Sequence, residues 1–122
     1  MKKTILIYDD DEEILLLCKI ILKKYDYEVH TLSYCNDVLA DVIKLKPNLI
    51  LMDLWIPEIG GEKAVIILKN YHETKHIPVL LFSANADIKD KCEKVNASGF
   101  IAKPFDLKTF IEAIDNNIST II

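Results

Sequence analysis

Leu49-Ile50-Leu51-Met52-Asp53-Leu54-Trp55-Ile56-Pro57 is an apolar run interrupted by one carboxylate and closed by a proline. Four consecutive apolar residues at strand length read as a strand covered on both faces, which is the condition of strands in parallel sheets. Open sheets of that kind bind ligands beyond the carboxyl ends of their strands. Asp53 stands at such an end. Its partners decide whether it is a solvated strand stop or a functional group.

On the N-terminal side, Thr4 to Tyr8 is a β-branched and apolar strand halted by Asp9-Asp10-Asp11-Glu12-Glu13. A helix begins from this run, with carboxylates where the positive end of its dipole favours them. Ile14, Leu17, Cys18 and Ile21 recur at helical spacing, and Leu15, Leu16, Ile20 and Leu22 widen the apolar face, so the helix is expected to be well buried. Tyr27 to Leu32 alternates in the manner of a strand at a sheet edge. A second helix is expected from Asn36 to Lys46, with Val38, Val42 and Leu45 inward and Pro47 closing it.

On the C-terminal side, Ile56 to Gly61 reads as a turn. The helix after it carries Ala64, Ile67, Leu68 and Tyr71 on one face and leaves Val65 and Ile66 as surplus apolar surface. Pro78 to Phe82 is a fourth strand, halted by Ser83-Ala84-Asn85. Asp87 to Val95 is a more polar helix, lightly anchored by Ile88, Cys92 and Val95. Gly99 to Ala102 is a short fifth strand ending at Lys103-Pro104. Asp106 caps a last helix with Leu107, Phe110, Ile111, Ile114 and Ile118 at helical spacing. Five strands alternating with five helices predict an α/β fold, a parallel doubly wound sheet with right-handed crossovers.

With 122 residues, 51% hydrophobic and 28% charged, the chain is expected to be one compact domain, 1–122, that buries a core without disulfides or metal staples. Its net charge of −4 argues against direct nucleic-acid binding, which needs a basic surface. No apolar run reaches the roughly 18 to 20 residues that span a bilayer, and the N-terminus does not resemble a signal peptide, so a cytoplasmic location is expected. Cys18, Cys35 and Cys92 are odd in number and far apart. Neither a disulfide framework nor a zinc site is indicated, and Cys18 and Cys92 read as small core residues.

In a parallel sheet the carboxyl ends of the first, third, fourth and fifth strands share one rim, which gathers Asp9, Asp10, Asp53, Ser83 and Lys103. Singly, each has an ordinary structural explanation. Together they suit one chemistry. Clustered carboxylates repel unless a cation sits among them, and oxygen-only ligands select a hard ion such as Mg²⁺. Lys103 adds a fixed positive charge, Ser83 a hydroxyl, and Ala84 leaves room for an incoming group. This is a clamp for a transferring phosphoryl group, with Asp53 as nucleophile.

These residues resemble the receiver domain of two-component response regulators, typified by the single-domain chemotaxis regulator. The motifs are Ile-Leu-Ile-Tyr-Asp9-Asp10-Asp11, Leu-Ile-Leu-Met-Asp53 with Pro57, Val-Leu-Leu-Phe-Ser83-Ala84 and Gly99-Phe100-Ile-Ala-Lys103-Pro104-Phe105, in the family's order across essentially the whole chain. The resemblance implies a flavodoxin-like strand order 2-1-3-4-5. It implies that Asp53 accepts a phosphoryl group from a sensor histidine kinase, a phosphotransfer protein or a small donor such as acetyl phosphate. Mg²⁺ would be held by Asp10, Asp53 and the Trp55 backbone carbonyl, with Asp9 acting through water. Lys103, Ser83 and the Ala84 position would receive the phosphoryl oxygens, and the Lys103-Pro104 bond would be cis. Ser83 and Phe100 would form the switch that reshapes the face of the fourth helix, fifth strand and fifth helix for a downstream protein or self-dimer. Such a protein is a phosphoacceptor that assists its own phosphorylation and dephosphorylation rather than a turnover enzyme.

Three features depart from the commoner family pattern. Gly60-Gly61 stands where Asp-Gly is frequent, so the next helix should lack a side-chain cap and start more loosely. Ser83 replaces the frequent Thr, and Trp55 is large for its position, where it is expected to alter the phosphoryl lifetime by screening water. His72 and His76 read as a polar loop rather than a metal clamp, and His30 as a strand surface residue. The tail Ile121-Ile122 reads as a truncation or an interface edge, with no output domain after it. A haloacid-dehalogenase-type phosphatase would need a second carboxylate at Trp55, and a flavodoxin-type FMN carrier a hydroxyl- and Gly-rich loop at Asp9-Asp10-Asp11. The stronger alternative is a receiver-like module that binds proteins without taking phosphate; the intact acids, Ser83 and Lys103 argue against it.

Overall fold

The computed structural model describes residues 2–118. The expectation for Ile121-Ile122 therefore lies outside the described residues. Strands β1 (Thr4–Tyr8), β2 (Glu28–Leu32), β3 (Leu49–Asp53), β4 (Val79–Ser83) and β5 (Gly99–Ala102) form one sheet. Their order is β2-β1-β3-β4-β5 and every pairing is parallel. The fold is the expected flavodoxin-like one. The register puts Ile5 beside Leu49, Ile50 beside Val79, and Leu80 beside Gly99.

Helices α2 (Val38–Leu45), α3 (Gly61–Lys69) and α4 (Ile88–Val95) cover one face, and α1 (Glu12–Lys24) and α5 (Leu107–Asn117) the other. The alternation of side chains along a strand sorts the core into two layers. Leu6, Tyr8, Ile50, Met52, Val79 and Leu81 point to the three-helix side; Ile5, Ile7, Leu49, Leu51, Leu80 and Phe82 point to the α1–α5 side. This accounts for the unbroken apolar runs of β3 and β4, whose residues are all buried. Edge strand β2 is wetter, as its alternation predicts.

Helix starts follow their caps. Asp11 accepts from the Glu13 and Ile14 amides, Asp37 from Ala40, and Asp106 from Thr109. The Asp37 cap starts α2 at Val38, two residues later than expected. Helix α4 has no side-chain cap, and Ile88, Cys92 and Val95 are its buried residues, as read from the sequence.

Several inward assignments are corrected. Leu15, Cys18 and Leu22 of α1 enter the core, whereas Leu16, Leu17 and Ile20 are exposed, so the helix is not buried on all its apolar sides. A sheet covers only one arc of a helix, and α1 is rotated so that Leu17 falls outside that arc. Val65 is fully buried while Ile66 is exposed, and Leu107 faces solvent at the start of α5. Cys35 is buried along with Cys18 and Cys92.

Candidate functional site

Each site residue lies at or just beyond the C-terminal end of a strand. Asp9 and Asp10 follow β1, Asp53 ends β3, Ser83 ends β4, and Lys103 follows β5. The Lys103 amide donates to the Ser83 carbonyl at 2.9 Å, which carries the β4–β5 ladder one residue past β5 and fixes where the lysine emerges. The Lys103–Pro104 bond is cis.

The structure brings the acids together. One oxygen each from Asp9, Asp10 and Asp53 lie within 4.8 Å of one another. Asp9 and Asp53 are buried and Asp10 is exposed, so the cluster opens to solvent through Asp10. Lys103 Nζ is 2.5 Å from Asp9 Oδ2 and 3.8 Å from Asp53 Oδ1. It also sits 4.6 Å from the centroid of the Phe82 ring, which supports the ammonium from below. The other Asp9 oxygen accepts from the Asp11 amide at 2.9 Å. Asp9 is thereby oriented from two sides.

Three carboxylates face one ammonium, so the cluster keeps an excess of two negative charges when all are ionised. Burial pushes the Asp53 carboxyl up to about 6; Lys103 pulls it down, Asp9 and Asp10 push it up again, and the Trp55 amide lowers it. All-oxygen donors with that residual charge fit a hard divalent cation.

Ser83 is buried and its Oγ accepts from the Asn85 amide at 3.0 Å, leaving the hydroxyl hydrogen to donate elsewhere. Ala84, next to it, is exposed and adds no bulk to the rim. Trp55 is 66% exposed and lines a shallow hollow of about 470 Å³ formed by the 54–60 loop and the first turn of α3. Phe100 is 39% exposed on β5, so its ring is turned at least partly outward.

The loop carrying Trp55 is held at both ends. The Cys35 amide donates to the Pro57 carbonyl, and the Glu58 and Ile59 amides donate back to the Cys35 carbonyl. At the other end, Gly60 takes φ +85° and Gly61 donates to the Leu54 carbonyl at 2.9 Å. A Cβ on Gly61 would stand 2.3 Å from the Asp53 carbonyl oxygen and 2.7 Å from Leu54 Cα. Helix α3 lacks a side-chain cap, as expected, but its start lies directly on the backbone of Asp53.

Sequence reasoning missed two features. One is the Gly61 approach, which was visible only as a glycine. The other is Glu62 of α3, which reaches Lys91 at 3.1 Å and Lys94 at 3.6 Å and ties α3 to α4. No local pattern marks a pairing so distant in sequence. His72 and His76 are exposed and lie beyond the end of α3, outside the acid cluster.

Residues 5–115 match the family model described as the response regulator receiver domain. The chain belongs to that family. It is 32% identical over 117 residues to the polar-differentiation response regulator DivK of Brucella anthropi, an alignment covering 93% of this chain and 94% of DivK. The receiver domain of NtrX from Brucella abortus superposes with a TM-score of 0.84 at 25% identity, covering 96% of this chain and 99% of that one. The receiver domain of the sensor histidine kinase PA1611 from Pseudomonas aeruginosa, a structure with magnesium coordinated in its active-site cleft, superposes at 0.86 with 18% identity, covering 96% of this chain and 98% of that one. At that identity the likeness is one of fold.

Proposed function

We propose that the chain is a phosphoacceptor module in which Asp53 takes a phosphoryl group from the phosphohistidine of a sensor histidine kinase or phosphotransfer protein. The single observation that carries this reading is the convergence of Asp9, Asp10 and Asp53 within 4.8 Å, with Lys103 Nζ 3.8 Å from Asp53. An Asp53 carboxylate oxygen attacks phosphorus, the P–O bond to Asp53 forms as the P–N bond to the donor breaks, and the electron pair leaves with the imidazole nitrogen. The protein has little covalent work beyond this, so its part is positioning and charge.

Asp10, Asp53 and the Trp55 carbonyl would hold Mg²⁺ directly and Asp9 through water. A bound Mg²⁺ supplies the positive charge that offsets repulsion between the acids and the phosphoryl oxygens. Lys103, released from Asp9, grips one phosphoryl oxygen, and the Ser83 hydroxyl donates to another across the space above Ala84. That pull on Ser83 draws the end of β4 and lets Phe100 turn inward, so the surface of α4, β5 and α5 changes for a downstream protein or a second copy. The chain acts in the cytoplasm, without direct contact to nucleic acid or membrane, and turns over no external substrate.

Intact mass after incubation with acetyl phosphate tests the reading, with and without a chelator, on wild type and Asp53→Asn. A gain of one phosphoryl group in wild type alone, lost with chelator, is expected. No gain despite separately measured Mg²⁺ binding would overturn it in favour of a phosphate-independent binding module.

A further inference from the structure

Helix α1 buries Leu15, Cys18 and Leu22 and turns Leu16, Leu17 and Ile20 outward, at 60%, 46% and 50% exposure. At the helical angle of about 100° per residue, Leu17 and Ile20 lie within about 60° of each other and roughly opposite the buried face. Glu13, one turn before Leu17, and Lys24, one turn after Ile20, are exposed and continue the same stripe. It reads acid, leucine, isoleucine, base. Glu12 and Lys23 repeat the same polarity beside it, acidic in the first turn and basic in the last.

This order is complementary to its own reverse. A two-fold axis crossing the helix midway between Leu17 and Ile20 sets Glu13 against Lys24 of a second helix and Leu17 against its Ile20. Parallel pairing would set acid on acid and base on base, which is unfavourable. We propose that the outer face of α1 is a self-association surface, on which two copies of this chain pack their α1 helices antiparallel. The Leu17 and Ile20 side chains form its apolar centre, and reciprocal Glu13–Lys24 pairs set its direction.

The apolar centre supplies the attraction, because exposed ion pairs contribute little beyond orientation. One helix face is smaller than the interface of about 1,200 Å² or more found in stable complexes, so the association is weak, with a Kd on the order of 100 µM. Helix α1 begins two residues after Asp10, and its 13 residues extend for about 20 Å. Antiparallel pairing therefore sends the two acid clusters to opposite ends of the interface. The surface is separate from the α4–β5–α5 face and does not depend on phosphoryl chemistry.

Sedimentation equilibrium on the unphosphorylated chain in chelator and low salt tests the proposal, from about 10 µM to about 1 mM, the range that brackets this affinity. A reversible monomer–dimer equilibrium is expected, weakened at least about tenfold by Leu17→Glu. Glu13→Lys weakens it about twofold to threefold, and adding Lys24→Glu restores it, because the swapped pair is again complementary. All three positions face solvent, and far-UV circular dichroism checks that each variant is folded. A chain that stays monomeric throughout overturns the proposal and leaves the stripe to a different protein. A dimer indifferent to Leu17→Glu places self-association on another face, and a double variant that stays weak overturns the antiparallel register.

Discussion

Asp53 is 5% exposed and carries its charge at a cost that Lys103 and the Trp55 amide offset only in part. Folding raises its pKa from an ordinary 3.8 to about 6, so the folded chain holds this proton more tightly than the unfolded one. The stabilisation that this proton brings is complete below pH 3.8 and is lost as pH climbs through 6. Asp53→Asn removes the loss. In chelator at pH 8 the variant should be more stable than wild type by about 3 kcal/mol in urea melts, and the difference should vanish toward pH 4. Lys103 works in the opposite direction. Asp9 is wholly buried and holds the Lys103 ammonium at 2.5 Å, so Lys103→Met leaves an uncompensated buried charge. It should cost about 3 kcal/mol in chelator, with part of that recovered on adding Mg²⁺, as the same melts would read. Trp55, two residues beyond Asp53 and 66% exposed, is proposed to screen the site from water. Phosphoryl loss followed by mass should be faster in Trp55→Ala, and an unchanged rate removes that role.

Gly61 shows what a sequence reading of an element can and cannot hold. The pair Gly60-Gly61 correctly foretold an uncapped helix, yet α3 begins against the Asp53 backbone, where a Cβ would lie 2.3 Å from a carbonyl oxygen. Gly61→Ala should shift the start of α3, cost about 3 kcal/mol of thermal stability, and slow phosphorylation of Asp53; an unaltered protein would mean that the two backbones separate freely. Gly60→Ala meets no neighbouring atom within 4 Å and pays only for its φ of +85°, so about 1 kcal/mol is expected. Strand identities were legible because β3 and β4 are apolar on both faces and end at polar residues. The rotation of α1 was not. Eight apolar residues between Ile14 and Leu22 leave the helical period without a polar face to orient it, and the sheet alone selects Leu15, Cys18 and Leu22. The Glu62 tether from α3 to Lys91 and Lys94 escaped for another reason, since it depends on how two helices lie side by side.

The order β2-β1-β3-β4-β5 lets strands far apart in sequence end at one rim, and the acid cluster forms where β1 and β3 are neighbours. The acids were recognisable because Asp9-Asp10 and Asp53 each close an apolar run; that Lys103 rests on Asp9 more closely than on Asp53 was not, because it depends on how the end of β5 lies against β1 and β3. A cation among Asp9, Asp10 and Asp53 would join the ends of β1 and β3, while Lys103 joins β5 to both. The central strands β1, β3 and β4 are buried along nearly their whole length. Amides in those strands exchange only when the domain opens as a whole, whereas α4, uncapped and held by Ile88, Cys92, Val95 and the Glu62 pairs, can open by itself. A ligand that binds only the folded site raises the free energy of every opening that destroys the site, by about 2.7 kcal/mol at a concentration one hundred times its Kd. Native-state hydrogen exchange should therefore show Mg²⁺ slowing the β1, β3 and β4 amides by one common factor of about a hundredfold, with little change in α4, whose local opening leaves the acids in place. Unequal protection among the three strands would show that the site belongs to a smaller unit than the sheet. Equal protection of α4 would show that its opening already dismantles the acid cluster, and the helix would then be wired to the metal before any phosphoryl group arrives.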